Sequence, residues 1–175
     1  ALFFVKPPFG TAGKGMRVLR ILDLAQNASA INENEILQLG VQDLVLIDGR
    51  KFVIRFYLLV HDRTVYLHRR SLITVHGSAY DPNSTDYDVQ INHSSDKAEC
   101  IPSTSVPEYC EWHASIMHRV CEILPCFESL LNASANDRYT IIGGDAVIDS
   151  SGNARLLELN MYPNLWDFND TTNKE

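Results

Sequence analysis

Three oxygen-bearing side chains near the end of the 175-residue sequence have the types and spacing of a metal site. Asp145 lies in one apolar run of strand length, and Glu158 and Asn160 lie in the next. A turn centred on Ser151 and Gly152 would place Asp145 directly opposite Glu158 in an antiparallel pair. The other pairs in this register are Val147 with Leu156 and Ser150 with Asn153. Strand alternation would then place Asn160 on the face that Asp145 and Glu158 share.

Two carboxylates that face each other in apolar strands repel, so this register requires a compensating cation. Oxygen ligands of these types suit a hard divalent ion, usually Mg²⁺ where phosphates supply the remaining ligands. The alternative is that the acids face water on one side of an exposed sheet. That alternative explains Asp145 alone more simply, whereas the three residues together favour a metal site.

A second group of residues, at the start of the sequence, could bind phosphate. Residues 2–5 predict a short strand that ends at Lys6, and a glycine-rich loop at 10–15 separates it from the apolar run 16–22, a second strand. Such a loop lets backbone N–H groups approach an anion. It is not a Walker A loop, because the glycine spacing is too short and Gly15 follows Lys14. A strand, loop and strand can also be an ordinary hairpin, but the two lysines favour phosphate.

A cationic strand follows. Residues 44–47 and 51–60 flank Asp48-Gly49, a strong hairpin signal. In the second of these runs Lys51, Val53 and Arg55 share one face, and the core residues on the other face are Phe52, Ile54, Phe56, Leu58 and Val60. The run 64–70, which contains Arg69, predicts the neighbouring strand. This cationic face is either solvated or a cradle for phosphate oxygens.

The remaining elements position these groups. Residues 36–41 predict a strand, and residues 77–102 are mostly loop, interrupted by a strand-like stretch at 89–93. An amphipathic helix begins after Ser105 and continues through Leu130, and Pro125 should kink or divide it. The sequence therefore predicts antiparallel strands with one helical segment packed on them.

Composition excludes several classes of partner. The net charge of −7 argues against general nucleic-acid binding, which uses clustered Lys and Arg. No apolar run is long enough to span a bilayer, so a membrane partner is not expected. Four cysteines without C-x-x-C spacing favour a reducing, intracellular compartment. The sequence begins at Ala1 in an apolar strand without an initiator Met, and we expect it to be part of a longer protein.

The succession of a strand-end lysine, a glycine-rich loop, a cationic antiparallel sheet and an acidic hairpin resembles the ATP-grasp ligases. Its short sequence motifs are similar to those of the tubulin–tyrosine ligase-like branch of that family. The stretches that carry the resemblance are residues 5–7, 13–15, 46–55, 66–69, 91–93, 144–145 and 157–163. They span almost the whole chain in the family's order, so the match as a whole is specific although no single motif is.

The resemblance implies an α+β ATP-grasp fold in which antiparallel sheets pack against helices and a nucleotide is held between lobes. Residues 1–175 would be the catalytic region, without the amino-terminal lobe of a complete ligase. Residues 1–43 would form its phosphate-loop and hinge part, and residues 44–175 its metal- and phosphate-binding part.

The resemblance also assigns roles to residues. Those that would bind the nucleotide are Lys6, Gly13, Lys14, Gly15, Gln38, Leu39, Val41, Lys51 and Asn92, with Gln38 and the backbone of Leu39 and Val41 as the adenine hinge. Those that would stabilise the transferring phosphate are Arg55, Arg69 and Lys51. The magnesium ligands would be Asp145, Glu158 and Asn160, the trio that the register selects independently. Two positions depart from the family pattern: Val53 stands where Asp is usual and Gly40 where an aromatic residue is common.

The implied reaction activates a carboxylate with ATP and Mg²⁺ as an acyl-phosphate, which the amine of an amino acid attacks to form an amide. The substrates would be ATP, an amino acid and a protein acceptor, with tubulin suggested by the family alone. The implied location is cytoplasmic and cytoskeleton-associated. Two alternatives stay open: an ATP-grasp ligase for small molecules, and a nucleotide-binding module without turnover.

Overall fold

The computed structural model describes residues 1–9, 13–26, 31–91, 97–133, 138–161 and 163–165. In these residues the strands are β1 (Leu2–Lys6), β2 (Arg17–Arg20), β3 (Ile36–Leu39), β4 (Arg50–His61), β5 (Thr64–Leu67), β6 (Leu72–Ala79), β7 (Glu99–Pro102), β8 (Tyr139–Ile148) and β9 (Ala154–Asn160). The helices are α1 (Ile21–Gln26), α2 (Tyr87–Gln90), α3 (Tyr109–Ile123) and α4 (Glu128–Ala133), with 3-10 turns at Ser103–Ser105 and Leu124–Phe127. The fold is therefore α+β, as predicted.

The chain divides into two compact units. Unit 1 comprises Ala1–Phe52 and Val75–Glu99, and unit 2 comprises Val53–Thr74 and Cys100–Glu175. The division into a phosphate-loop part, residues 1–43, and a metal-binding part, residues 44–175, is one of function and stays a prediction.

Unit 1 contains a three-stranded antiparallel sheet in the order β2-β1-β3. The predicted first strand is confirmed, whereas the run 16–22 is a strand only from Arg17 to Arg20. Its last residues turn into α1, because the carboxylate of Asp23 accepts a hydrogen bond of 2.9 Å from the backbone N–H of Arg20 and so stabilises the start of a helix.

The larger sheet has the order β7-β6-β4-β8-β9, with β5 also paired to β4. The alternation predicted for β4 is confirmed, since one face is completely buried. Its buried residues are Phe52, Ile54, Phe56, Leu58 and Val60. The Asp48-Gly49 turn is confirmed by positive φ at both residues and by mutual backbone hydrogen bonds between Ile47 and Arg50. The predicted strand at 44–47 is wrong, because Leu44 and Ile47 form isolated bridges and the residues between them belong to no strand.

The segment 77–102 is more regular than predicted. The strand expected at 89–93 is wrong, because α2 occupies Tyr87–Gln90 and begins at Asp86, whose side chain accepts a 2.7 Å hydrogen bond from the N–H of Asp88. Asn92 and His93 lie outside the described residues. β6 extends to Ala79, and β7 follows at Glu99–Pro102.

The predicted interruption of the long helix is confirmed. Residues Tyr109, Trp112, Ile116 and Val120 of α3 are buried at helical spacing. Pro125 lies in the 3-10 turn that separates α3 from α4. None of the helices in the described part of the chain is long and apolar enough to cross a membrane.

The β8–β9 hairpin keeps the predicted pair Asp145 and Glu158 but reaches it by a different route. Near the turn, Ala146 faces Leu156 and Val147 faces Arg155, so the predicted pairing of Val147 with Leu156 is wrong. A register shift between Asp145 and Ala146, where Leu157 is the extra residue, restores the predicted register beyond it.

The loop of this hairpin explains the difference. Asp149 accepts hydrogen bonds from the backbone N–H groups of Ser151 and Asn153 and from Arg155. These bonds hold a three-residue loop, with Gly152 at a φ of 79°, instead of the predicted two-residue turn that pairs Ser150 with Asn153. The longer loop and the bulge compensate for each other, and the acidic pair results.

Gly144 should tolerate no side chain. It lies opposite Phe56, and a Cβ atom at Gly144 would overlap the buried ring of Phe56. We expect Gly144→Ala to lower the free energy of unfolding by about 3 kcal/mol, the upper end of the cost of overpacking. Chemical denaturation measures this change.

Gly152→Ala provides the control, because its Cβ would enter open space and only the positive φ would oppose it. Its cost should be about 1 kcal/mol. Combining Gly144→Ala with Phe56→Leu should cost less than the sum of the two single changes. A Gly144→Ala variant as stable as the parent would contradict the overlap.

Candidate functional site

In unit 2, three charged residues form a row across neighbouring strands. Arg55 of β4 faces Asp145 of β8, and Asp145 faces Glu158 of β9. Directly opposed residues share a face of the sheet, so one cation and two carboxylates lie side by side. The predicted opposition of Asp145 and Glu158 is confirmed.

Arg55 and Asp145 form a two-pronged ion pair. Arg55 Nε donates to Asp145 Oδ1 at 2.5 Å, and Arg55 Nη2 donates to Oδ2 at 2.8 Å. Asp145 is only 8% exposed, so its charge is matched where water is scarce. The hydrogen bonds that Arg55 donates to Asp145, aided by the charges of Asp145, Tyr57 and Glu158, raise the pKa of Arg55 further above its usual range. Arg55 is therefore the cation that compensates this carboxylate.

Glu158 and Asn160 complete the face. Asn160 Nδ2 donates to Glu158 Oε1 at 2.9 Å, as expected of side chains two residues apart on one face of a strand. Glu158 is exposed and Asn160 is half-buried. The structure thus brings together all three of the predicted metal-ligating residues.

The chemistry of these donors fits a hard divalent cation. Asp145, Glu158 and Asn160 offer carboxylate and amide oxygens from one sheet face, the ligand types that Mg²⁺ takes. Within the described residues no three His, Cys, Asp or Glu side chains cluster closely enough to hold a metal, so a site here would depend on the amide of Asn160 as its third ligand. Both oxygens of Asp145 already accept from Arg55.

The chain after β9 folds back over the same face. Gly143 lies opposite Tyr57 and Asn160, and a Cβ there would lie 2.5 Å from Pro163 Cβ. The hydroxyl of Tyr57 donates to the carbonyl of Asn164 at 2.9 Å. Gly143 therefore provides the space in which the returning segment packs beside Arg55.

Arg69 is not part of the row. It lies beyond the end of β5 and is exposed. Its predicted role at the transferring phosphate therefore stays a prediction.

In unit 1, Lys51 is a buried cation. Lys51 is only 7% exposed. Its Nζ donates to the carbonyl of Gln90 at 2.6 Å and lies 5.0 Å from the centre of the Phe4 ring. Burial, and after it the charge of Lys6, lower the pKa of Lys51 from 10.5 to about 8. Two lysines close enough to repel each other form a place where an anion is favourable.

The predicted hinge belongs to the edge strand of the small sheet. Gln38 of β3 faces Phe4 of β1, and Leu39 faces Phe3. Beyond the strand, the N–H of Gly40 donates to the carbonyl of Leu2 at 2.8 Å. A Cβ at Gly40 would lie 3.0 Å from the Phe4 ring, so the missing side chain at Gly40 leaves room for Phe4. Val41, also assigned to the hinge, is half-buried.

The described part of the glycine loop has the backbone that its glycines allow. Gly13 and Gly15 have φ values of 71° and 78°. Gly13 packs closely on Tyr87 and Ile91, with no room for a Cβ. Lys14 is exposed between the two glycines. Residues 10–12 of the loop, and Asn92, lie outside the described residues.

Two residues of this region were missed by sequence reasoning. Phe4 lies two positions before Lys6 in β1, so strand alternation alone could have placed the two on one face. Gln90 contacts Lys51 through its backbone carbonyl, for which no side-chain pattern in the sequence is a signal.

Comparison with known families gave a match over the first part of the chain. The model of the tubulin-tyrosine ligase family matches residues 1–99, more than half of the chain. The chain belongs to the tubulin-tyrosine ligase family, whose fold is ATP-grasp. A search of curated proteins gave no significant match. The family supports ATP-dependent ligase chemistry in general, and the matched region contains Lys51 and Arg55 but ends before the acidic hairpin.

Lys51 should make stability depend on pH. Its pKa is about 8 in the folded protein and 10.5 as the ordinary value, so between these values the unfolded chain holds a proton that the folded protein has released. The free energy of unfolding should therefore rise with pH across this window. Below about pH 8 Lys51 is charged in both states and its full cost is present.

We expect Lys51→Met to remove this rise, about 3 kcal/mol across the window. Chemical denaturation at a series of pH values measures it. Lys97→Met, an exposed lysine of the same unit, should leave the rise in place. The assignment fails if Lys51→Met and the parent show parallel pH dependence.

Proposed function

We propose that the chain is part of an ATP- and Mg²⁺-dependent ligase that joins an amino acid to the carboxylate of a protein or peptide through an acyl-phosphate. The observation that carries the proposal is the face formed by Arg55, Asp145, Glu158 and Asn160, in a chain of the tubulin-tyrosine ligase family. Such chemistry needs positioning and charge neutralisation, not a protein nucleophile.

Each residue has a role in this proposal that its environment supports. Lys6 and Lys51 bind phosphate oxygens, which relieves the repulsion that, after burial, lowers the pKa of Lys51. Arg55 offers a charge fixed in direction to the transferring phosphate. Glu158 and Asn160, with Asp145, hold Mg²⁺, which supplies charge neutralisation when bound.

The amino acid and the acceptor follow less directly. Tyrosination, glutamylation and glycylation are all compatible with the same phosphate and metal groups. A net charge of −7 does not favour acidic acceptor tails, so tubulin enters as an acceptor through the family alone. A cytoplasmic, cytoskeleton-associated location belongs to the same proposal.

Nucleotide binding should require both Mg²⁺ and Glu158. We expect a non-hydrolysable ATP analogue to bind in the presence of Mg²⁺, and Glu158→Gln to weaken that binding by about tenfold or more, since one charged ligand is lost. Calorimetric titration with and without Mg²⁺ measures both effects.

Glu122→Gln is the matched control, because Glu122 is an exposed acid on α3, where it pairs with Arg119. It should leave binding unchanged. Binding that is equally tight without Mg²⁺, or in Glu158→Gln, would refute the metal assignment, and no binding under any condition would count against the proposal.

A second function is favoured by one specific observation. Val53 stands where the family usually has Asp, and here Arg55 uses both oxygens of Asp145 instead. A carboxylate committed in this way is a poorer metal ligand, which favours a nucleotide-binding module without turnover. The difference depends on whether Asp145 can leave Arg55 for a metal ion.

Restoring an acid at residue 53 tests this directly. An Asp at this position, two residues from Arg55 on the same strand, would give the guanidinium a second carboxylate and release Asp145. We expect Val53→Asp to tighten Mg²⁺-dependent analogue binding by about fivefold, about 1 kcal/mol. Val53→Asn, which matches its shape without its charge, is the control, and equal effects of the two changes would contradict the idea.

A further inference from the structure

The short helix α2 is held in place by a buried amide. Gln90 is only 2% exposed. Its Nε2 donates to two backbone carbonyls, that of Asp81 at 2.8 Å and that of Ser84 at 3.1 Å. Both donors of one amide are thus used on the loop that precedes the helix. A buried amide that lost these partners would carry a desolvation cost, so the geometry is strongly preferred.

The backbone of the same residue holds Lys51. The carbonyl of Gln90 accepts the 2.6 Å hydrogen bond from Lys51 Nζ, and the N–H of Gln90 donates to the carbonyl of Asp86 within α2. One residue therefore joins the loop 81–84, the helix and the buried ammonium. Loss of the amide's two hydrogen bonds would therefore loosen the loop and helix that hold the carbonyl bonded to Lys51.

The surroundings of Lys51 make this carbonyl important. Lys6 on β1 is the charged group that acts on Lys51, and it repels; β1 also presents the ring of Phe4. The carbonyl of Gln90 on α2 is the partner that favours the ammonium form at hydrogen-bonding distance. An ammonium has three N–H donors, so Lys51 can keep this bond while it binds an anion.

We propose that Gln90 is a positioning residue for nucleotide phosphate: its amide fixes α2 so that its carbonyl holds the ammonium of Lys51 in place and charged. This inference rests on the proposed function for its phosphate ligand, but not for its effect on Lys51. The loop 13–15 is linked to the same helix, since Gly13 packs on Tyr87. A change at Gln90 therefore affects two of the elements predicted to contact phosphate.

The test replaces the amide with an apolar side chain. Gln90→Leu should lower the pKa of Lys51 in the nucleotide-free protein by about one unit below its value of about 8, because the backbone carbonyl of residue 90, no longer anchored through the amide, moves away from the ammonium. NMR titration of the lysine side chains measures this, with the Lys51 signal assigned by its absence in Lys51→Met. Binding of the Mg²⁺-ATP analogue should weaken by about tenfold. The weakening should be larger at alkaline than at neutral pH, because Lys51 loses its charge as the pH rises.

Glu35→Gln is the control for general destabilisation of unit 1. It disrupts the ion pair between Arg17 and Glu35 and should leave the pKa of Lys51 unchanged. Gln90→Met keeps the length of the side chain without its donors and serves if Gln90→Leu does not fold. An unchanged pKa of Lys51 in these Gln90 variants, or the same shift in Glu35→Gln, would overturn the proposal.

The two levels of inference fail separately. If the parent chain binds no analogue but the pKa of Lys51 still falls in Gln90→Leu, the positioning role stands and the proposed ligand is wrong. If the parent binds the analogue and Gln90→Leu binds it as tightly, with Lys51 unshifted, the ligand stands and the positioning role is wrong.

Discussion

The constraint on which the rest of the structure depends is that β4 carries cations on one face while its other face is completely buried. Because the opposite face of the strand is packed in the core, a cation on β4 needs a partner on its own face of the sheet. Arg55 meets this requirement with a carboxylate from β8 across two hydrogen bonds. The position of β8 beside β4, and hence of the acidic hairpin, is tied to that pair as well as to apolar packing.

The hairpin shows how local chemistry and register combine. The side chain of Asp149 closes a loop that has one more residue than the sequence pattern suggests. Alone, this longer loop would shift the register and place Leu157 opposite Asp145. The bulge at Leu157 removes the extra residue from the ladder. Glu158 faces Asp145 only because both irregularities are present. Gly144 contributes in a different way, since its missing side chain lets the Phe56 ring fill the core beneath the row.

The large elements could be predicted from the sequence, because their apolar residues recur with the period of a strand or a helix. Alternation in β4, helical spacing in α3 and the Asp48-Gly49 turn each depend on neighbours along the chain, which a pattern records. The pair Asp145 and Glu158 was correct through two compensating differences, which no pattern could have shown. The misplaced strand at 89–93 has a clear cause: the capping side chain of Asp86 favours a helical turn over the apolar alternation that follows it.

Contacts that go through the backbone lay beyond prediction altogether. The carbonyl of Gln90 on Lys51 leaves no trace in residue types, because every residue has a carbonyl. The partner of Arg55 could not be chosen either: the resemblance pointed to an acid at position 53, whereas the chain has Val53 and supplies Asp145 from a strand 90 residues away. Long-range ion pairs of this kind depend on which strands become neighbours.

The two cations of β4 are neutralised to different degrees, and this difference bears on function. Arg55 is met by a full negative charge, so an arriving anion gains little there unless Asp145 finds another cation. The ammonium of Lys51 donates to a carbonyl dipole and is repelled by Lys6. A phosphate bound beside it would therefore gain a strong electrostatic attraction. Under the proposed function, binding of the nucleotide phosphates would depend mainly on Lys51, whereas chemistry at Arg55 would require Asp145 to leave it first. Affinity and turnover would then depend on different residues of one strand, and a chain of this family could retain the first while losing the second.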